Sequence, residues 1–213
     1  MSTSRTSQRP GGRPAALRST ATPGGQGATG ALPQVEALGL VETDTVARGV
    51  VVADGVLKMA PIELLFSGEV SPGKFIVLFG GGVGPVRASH HRGVEIAGER
   101  RVDDLLIPQL HPGVIPALEE RVESVEHDAL GTIETNSVAS TIVAADRAAK
   151  AAQVVLRRIR LAQGLGGKGF VYLTGDLSSV EAAVAAGRDA CQSQLADWSI
   201  VPRLHERAQE HLL

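Results

Sequence analysis

The sequence contains little of two kinds of residue that often carry chemistry. Cys191 is its one cysteine, which excludes an internal disulfide framework and a zinc site built from cysteines, and agrees with a reducing cytosol. We interpret this cysteine as a small buried apolar residue rather than a nucleophile. Aromatic residues make up 3% of the chain, so platforms on which nucleic-acid bases could stack are scarce.

The sequence also lacks long apolar runs and a strong charge of either sign. No stretch approaches the roughly 18 apolar residues needed to cross a bilayer, and the first residues lack the apolar core of a secretory signal. The net charge is −2, which provides no basic field for nucleic acid. We therefore expect a cytoplasmic location, with neither a membrane nor a nucleic acid as partner.

Residues 1–34 differ in composition from the rest of the chain. They are mainly Gly, Pro, Ser, Thr and Ala, and their only charged residues are Arg5, Arg9, Arg13 and Arg18. Such a segment cannot bury enough apolar surface to offset the entropy lost on ordering. An organelle transit peptide has a similar composition but also an amphipathic helical period, which is missing here. We predict a disordered N-terminal arm.

The remainder of the chain is a duplication. The segment Ala37–Thr43 (ALGLVET) returns as Ala129–Thr135 (ALGTIET), a shift of 92 positions. From the dipeptides Gly73-Lys74 and Gly167-Lys168 onward the shift is 94, so the second copy carries two extra residues just before this point. The repeat predicts two like domains, residues 35–120 and 129–213, joined by a charged linker at 121–128.

Each copy predicts the same order of secondary structure. An apolar run is followed by a helix, and in the first copy its apolar residues form one stripe at spacings of four and three: Val46, Val50, Ala53, Leu57 and Ala60. Two short strands, a second helix and a last strand that ends at a proline complete the copy. The order β-α-β-β-α-β is the split βαβ plan of ferredoxin-like folds. We therefore predict a mixed α/β chain of the α+β class, with two ferredoxin-like domains in tandem.

These repeats resemble the bacterial microcompartment shell proteins. Both copies open with Ala-Leu-Gly and Glu-Thr before a helix that ends in Lys-x-Ala. The second copy adds Leu165-Gly166-Gly167-Lys168, Gly175-Asp176-Leu177 and Val201-Pro202-Arg203-x-His205. Two copies in unpermuted order are similar to the tandem-domain trimeric class (BMC-T), and particularly to the tandem shell protein of propanediol-utilising compartments.

The resemblance implies a structural role without catalysis. It implies a homotrimer whose two domains imitate a hexagonal disc, placed in the compartment shell beside hexameric single-domain and pentameric vertex shell proteins, with the enclosed enzymes as further partners. Lys58, Lys150 and Arg203 fall at the family's disc-edge positions, where neighbouring discs meet, whereas Gln109 replaces the edge arginine in the first copy. Taken alone, each lysine would be interpreted as a solvated helix end.

The resemblance further implies a central pore, lined by the loops between the middle strands of each copy. The pore-lining residues would be Ser71, Pro72, Gly73, Gly164, Leu165, Gly166 and Gly167. In the propanediol protein a cysteine matches Ser71, and three such cysteines hold an iron–sulfur cluster. Because such clusters need thiolate ligands, we expect no cluster and no other cofactor or metal here, and an open pore for small polar metabolites.

Other motifs are weak. The run Gly80–Gly84 follows a strand and precedes a helix, as in a phosphate-binding loop, but it lacks the Gly-Lys-Ser/Thr ending, so a tight turn is favoured. The adjacent His90 and His91 point apart on a helix and suit no single metal. His111 and His205 occupy equivalent turns, which favours a structural role. The alternative function is a ferredoxin-like trimeric regulator that binds a small ligand or nucleotide.

Overall fold

The computed structural model describes residues 35–122 and 129–212, so the N-terminal arm and most of the predicted linker lie outside the described residues. The first domain contains β1 (Ala37–Thr43), α1 (Val46–Met59), β2 (Glu63–Val70), β3 (Lys74–Gly81), α2 (Val83–Ala97) and β4 (Arg101–Ile107). A short helix, α3 (Val114–Leu118), follows. The second domain contains β5 (Ala129–Thr135), α4 (Val138–Ala151), β6 (Val155–Leu161), β7 (Gly169–Gly175), α5 (Leu177–Cys191), β8 (Leu195–Val201) and α6 (Glu206–Leu212).

The two domains have the same sheet. Each sheet has four antiparallel strands, in the orders β2-β3-β1-β4 and β6-β7-β5-β8. The equivalent strands β1 and β5 are each paired on both sides, and each shows the same register shift next to its final Thr, at Glu42/Thr43 and Glu134/Thr135. The predicted order β-α-β-β-α-β and the α+β class are confirmed.

One face of the first sheet packs on its own helices, and the other face packs on the second domain. Val52 and Val56 of α1 form a core with Val77 and Phe79 of β3. On the opposite face, Leu38, Leu40, Leu105 and Ile107 belong to the same apolar cluster as α4 of the second domain. The two domains therefore share a continuous core.

The apolar stripe of the first helix does not face the core of its own domain. The residues of α1 that are buried are Gly49, Val52 and Val56. Within the stripe, Val46, Val50 and Leu57 are 43%, 55% and 47% exposed. In α4, by contrast, both faces are covered, because the stripe there packs against the first domain. Helix α1 thus carries one apolar face that its own domain does not use.

The two copies fill an equivalent space between helix and sheet with residues whose sizes are exchanged. In the first copy, Gly49 of α1 lies against the ring of Phe75, and a Cβ on this glycine would lie 2.2 Å from Phe75 Cδ1. In the second copy the equivalent positions are Thr141 and Gly169, and a Cβ on Gly169 would lie 2.2 Å from Thr141 Oγ1. Large and small residues have exchanged places, which keeps the filled volume similar.

The segment that follows β4 crosses to the second domain. Helix α3 packs on β6, and Val114, Ala117 and Leu118 are buried in the shared core. The sequence boundary at residue 120 therefore assigns to the first domain a helix that the second domain holds in place.

The Gly49 contact predicts a specific loss of stability. Gly49→Ala adds a methyl group where the ring of Phe75 already fills the space, and overpacking of this kind costs about 1–3 kcal/mol in the free energy of unfolding. Gly84→Ala is the matched control, since nothing lies within 4 Å of its Cβ position and alanine favours the helix. Urea denaturation at equal chain concentration should show a lower midpoint for Gly49→Ala and an unchanged or higher one for Gly84→Ala. Equal midpoints would contradict the packing.

Candidate functional site: the interdomain seam and the loop cluster

The seam between the two domains is held by a carboxylate and an ammonium on α4. Asp146 is 2% exposed, and its Oδ1 accepts a hydrogen bond of 2.9 Å from the backbone N–H of His111. Lys150 Nζ donates to Asp146 Oδ2 at 2.6 Å and also to the carbonyl oxygen of Gln109. These two side chains of the second domain therefore bind the backbone that follows β4 of the first domain.

A second polar contact lies at the other end of α4. Ser137 caps the helix by accepting a hydrogen bond of 3.1 Å from the N–H of Ser140. Its hydroxyl also donates to Asp103 Oδ2 of β4, at 2.6 Å. The other oxygen of this carboxylate, Oδ1, accepts from the N–H of Asp104. Both ends of α4 are thus tied to the first domain, with the apolar contacts of Val138 and Ile142 between them.

A cavity of about 360 Å³ lies beside the lysine end of this seam. Val83, Ile107, Pro108 and Val143 are among the apolar residues that line it, and Asp146, Arg147 and Lys150 contribute its charged wall. Because the seam residues form one wall, the cavity belongs to the junction between the domains rather than to either domain alone.

The side chains equivalent to the seam residues are exposed on α1 and on β8. Asp54 and Lys58 of α1 form an ion pair of 2.7 Å with side chains that are 60% and 74% exposed. Asp197 and Ser199 of β8 are exposed. The residue of β4 that is equivalent to Ser199 is Leu105, which is 5% exposed. Within the described residues, the seam at α4 is therefore covered, whereas the equivalent side chains of α1 and β8 are exposed.

The two loops predicted to line a pore lie next to each other. A Cβ on Gly167 would lie 3.3 Å from Pro72 Cδ and 3.5 Å from Ser71 O. Gly164, Gly166 and Gly167 all have positive φ angles, a backbone region that residues with a Cβ seldom adopt, and Gly73 has one as well. Thus the structure brings the predicted residues Ser71, Pro72 and Gly167 into one cluster.

Two lysines at the bases of these loops are paired with glutamates. Lys74 lies 3.0 Å from Glu42, whose side chain is fully buried, and Lys168 lies 2.9 Å from Glu134, whose side chain is 38% exposed. Burial raises the pKa of Glu42, and the ammonium of Lys74 partly opposes this effect. Because each lysine has an acidic partner, the loop cluster carries little net charge.

The other residues singled out from the sequence are Cys191 and four histidines. Cys191 is 3% exposed, as predicted, and burial raises its thiol pKa to about 11. His90 pairs with Asp104 at 2.9 Å, and His91 is exposed. His111 Nδ1 and His205 Nδ1 accept hydrogen bonds from the backbone N–H two residues later, at 3.2 and 3.3 Å, which confirms their equivalent turns.

The structure offers no other chemical centre among the residues it describes. In residues 35–122 and 129–212, no group of three His, Cys, Asp or Glu side chains is arranged to hold a metal ion. Over the same residues, no helix is long and apolar enough to span a membrane.

Comparisons with known proteins agree with this arrangement. The chain matches the BMC domain family twice, over residues 37–110 and 129–204. It is 39% identical over 173 residues to the bacterial microcompartment shell protein PduT of Citrobacter freundii, an alignment that covers 80% of this chain and 94% of PduT. It is 39% identical over 89 residues to the major carboxysome shell protein CsoS1A of Halothiobacillus neapolitanus, covering 39% of this chain and 87% of that protein.

A solved structure extends the likeness to the fold. The crystal structure of a microcompartments protein from Desulfitobacterium hafniense is 44% identical in sequence and superposes with a TM-score of 0.77, covering 83% of this chain and 99% of the other. Because the family model matches both halves and the alignments cover nearly all of two relatives, the chain belongs to the BMC domain family of bacterial microcompartment shell proteins, with two such domains in tandem.

Proposed function

We propose that the chain is a non-catalytic subunit of a microcompartment shell, where three copies close into a pseudo-hexagonal ring around a pore for small polar metabolites. The observation that carries the proposal is the match between the covered and the open seams. The covered seam supports a contact in which the open helix face of one copy binds the open sheet face of the next.

The open helix face has the apolar character of a face that is covered elsewhere in the chain. We call Val46, Val50, Val51 and Leu57 the α1 patch; all four side chains are 43% to 55% exposed. Their equivalents in α4 are Val138, Ile142, Val143 and Ala149, of which Val143 is half-buried and the other three are at most 8% exposed. Burying a valine or leucine stabilises by roughly 1.5–3 kcal/mol, so the α1 patch favours association.

The open sheet face of the second domain is the matching surface. In the first domain this sheet face contacts α4 through Leu38, Leu105 and Ile107. On the equivalent face of the second sheet, Leu130 is 3% exposed. There, Thr132, Phe170, Tyr172 and Val201 are half-buried and Ser199 is exposed. A helix face on one side and a sheet face on the other make a head-to-tail contact, which generates a ring when the rotation closes. Six domains in a ring require three chains of two domains.

The same ring accounts for a pore. The loops of consecutive domains already touch through Gly167 and Pro72, and repetition of this contact around a ring brings all six loops to the axis. Ser71 and glycine-rich backbone then supply a neutral polar lining. Small polar metabolites are the class that such a lining passes.

The proposed ring of three chains predicts the mass of the particle and a substitution that should dissociate it. Light scattering should give about 66 kDa, three times the chain mass of 22.1 kDa. Val50→Asp places a charge in the α1 patch, where desolvating it is costly, and should leave a folded species of about 22 kDa. Val102→Asp changes an equally apolar residue, 42% exposed on β4, and should stay trimeric. A wild-type monomer at micromolar concentration would contradict the ring.

The donor set of the loops does not fit an iron–sulfur cluster. Ser71 offers a hydroxyl, which is a poor ligand for such clusters compared with thiolate. Cys191 lies in α5, where its thiol donates to the Gly187 carbonyl. We therefore propose that the ring works without a cluster or another cofactor.

Ser71→Cys should convert the loops into a cluster site. Three thiols would then converge at the axis and could hold three corners of a cubane. After anaerobic reconstitution with iron and sulfide, the variant should be brown with a broad visible absorption band, whereas the wild type should stay colourless and free of iron. If the trimeric variant takes up no more iron than the wild type, Ser71 does not reach the axis.

Contacts between neighbouring discs are the remaining part of the proposal. Lys58, Lys150 and Arg203 remain the predicted edge residues, with hexameric single-domain and pentameric shell proteins as partners. Lys150 already binds Asp146 and the Gln109 carbonyl, whereas the side chain of Arg203 is exposed. Arg203 is therefore more available to a neighbouring disc than Lys150.

Arg203→Ala should weaken assembly without affecting the ring. The guanidinium can bind carbonyl or carboxylate groups of a neighbouring disc, so the variant should remain trimeric but co-assemble several-fold less with a single-domain shell protein. Arg87→Ala removes an exposed arginine of α2 and should co-assemble like the wild type. Sedimentation of mixed assemblies followed by quantification of each subunit measures the effect. Wild-type incorporation of Arg203→Ala would show that this arginine is only a surface charge.

A further inference from the structure

We infer that Asp54 and Lys58 bind the backbone of residues 203–205 in a second copy of the chain, and that Thr45 binds Asp197 of that copy. The inference rests on the proposed ring and goes further, because it assigns atoms on both sides of the seam between subunits. It also gives Lys58 a role inside the disc in addition to its predicted place at the edge.

The first half of this contact is already formed on α1. Asp54 and Lys58 stand 92 positions before Asp146 and Lys150, at the same i,i+4 spacing. The two ion pairs have nearly the same length, 2.7 Å and 2.6 Å. What differs is exposure: the carboxylate side chain is 60% exposed in Asp54 and 3% exposed in Asp146. The ion pair on α1 therefore has the same geometry as the pair on α4 but is exposed.

The backbone that this pair would bind is also preformed. Gln109 and His111, whose backbone groups contact Lys150 and Asp146, correspond to Arg203 and His205. Both turns have the same internal hydrogen bond, from a backbone N–H to the Nδ1 of the histidine two residues earlier. His205 is exposed. Its N–H can therefore donate to Asp54 of a second copy, while the Arg203 carbonyl accepts from Lys58.

A third contact repeats at the other end of the helix. Thr45 caps α1 as Ser137 caps α4, by accepting from the N–H three residues later. Asp197 Oδ1 accepts from the N–H of Trp198 at 2.8 Å, just as Asp103 Oδ1 accepts from the N–H of Asp104 at 2.9 Å. In Asp103 this arrangement directs Oδ2 to Ser137. Asp197 Oδ2 has the equivalent position for Thr45 of a second copy.

This pattern explains why the two copies can differ at the edge residue. The seam uses the carbonyl of residue 109 or 203 and not its side chain, so Gln109 and Arg203 serve the seam equally well. The guanidinium of Arg203 takes no part in the inferred seam and is free to bind other partners. Charged groups that bind backbone in this way form strong hydrogen bonds, and the partner they select is another copy of the same turn.

Dissociation of the trimer tests the pair directly. Asp54→Ala and Lys58→Met should each raise the concentration at which the trimer dissociates by about 10- to 100-fold, as expected for hydrogen bonds to charged groups. Circular dichroism should show an unchanged fold, since both side chains are largely exposed within one chain. Asp189→Ala removes an exposed acid of α5 and should behave as wild type. Sedimentation velocity over a dilution series measures all three.

The outcomes separate this inference from the ring. Suppose that the wild type is trimeric and that the dissociation concentrations of both variants lie within about twofold of that of Asp189→Ala. Then the pair does not bind the neighbour, and the ring stands. If the wild type does not form a trimer, the ring and the inference fall together.

A disulfide locates the third contact. Thr45→Cys with Asp197→Cys should oxidise between chains and give linked species up to three chains, but no larger, on a non-reducing gel. Ser137→Cys with Asp103→Cys is the control and should oxidise within one chain. Buried Cys191 should not compete, because its pKa is raised to about 11 and thiolate is the reactive form. If the control pair links and the Thr45/Asp197 pair leaves only single chains, the inferred seam is wrong.

Discussion

The structure depends on a helix that is apolar on two sides. In both copies, the first helix packs one face on its own sheet and carries a second apolar stripe that its domain cannot cover. Within the chain, α4 satisfies this constraint by packing Val138 and Ile142 on the sheet of the first domain. Helix α1 has the same two faces, but among the described residues only its inner face is packed. The exposed apolar face of α1 is the physical basis of the proposed assembly.

Duplication allowed the two copies to diverge while they kept the same seam. The pairs Gly49/Phe75 and Thr141/Gly169 fill equivalent space with exchanged sizes, so each domain retains its core density. Polar contacts at the seam were kept more strictly: an acid and a lysine one helical turn apart, a cap residue at the helix start and a histidine turn after the last strand occur in both copies.

The loop cluster combines glycine-rich backbone with neutralised charge. Positive φ angles at Gly164, Gly166 and Gly167 allow the longer loop to approach Ser71 and Pro72 closely. Below the loops, Lys74 and Lys168 face Glu42 and Glu134. Burial of Glu42 is tolerable because the ammonium of Lys74 lies 3.0 Å away. This pairing anchors the strands that present the loops and leaves the loops themselves uncharged.

The sequence alone determined the repeat, the order of strands and helices, the α+β class and the family, because these follow from local periodicity and from short motifs that recur in register. It also placed Cys191 in the interior and His111 and His205 in equivalent turns. It could not tell which side of α1 meets its own core, since Gly49, Val52 and Val56 and the α1 patch are both apolar at helical spacing. Only the tertiary structure decided this, together with the packing of α3 on β6 and the binding of Lys150 to a carbonyl of the other domain. Contacts of this kind join residues far apart in the chain, so no local pattern encodes them.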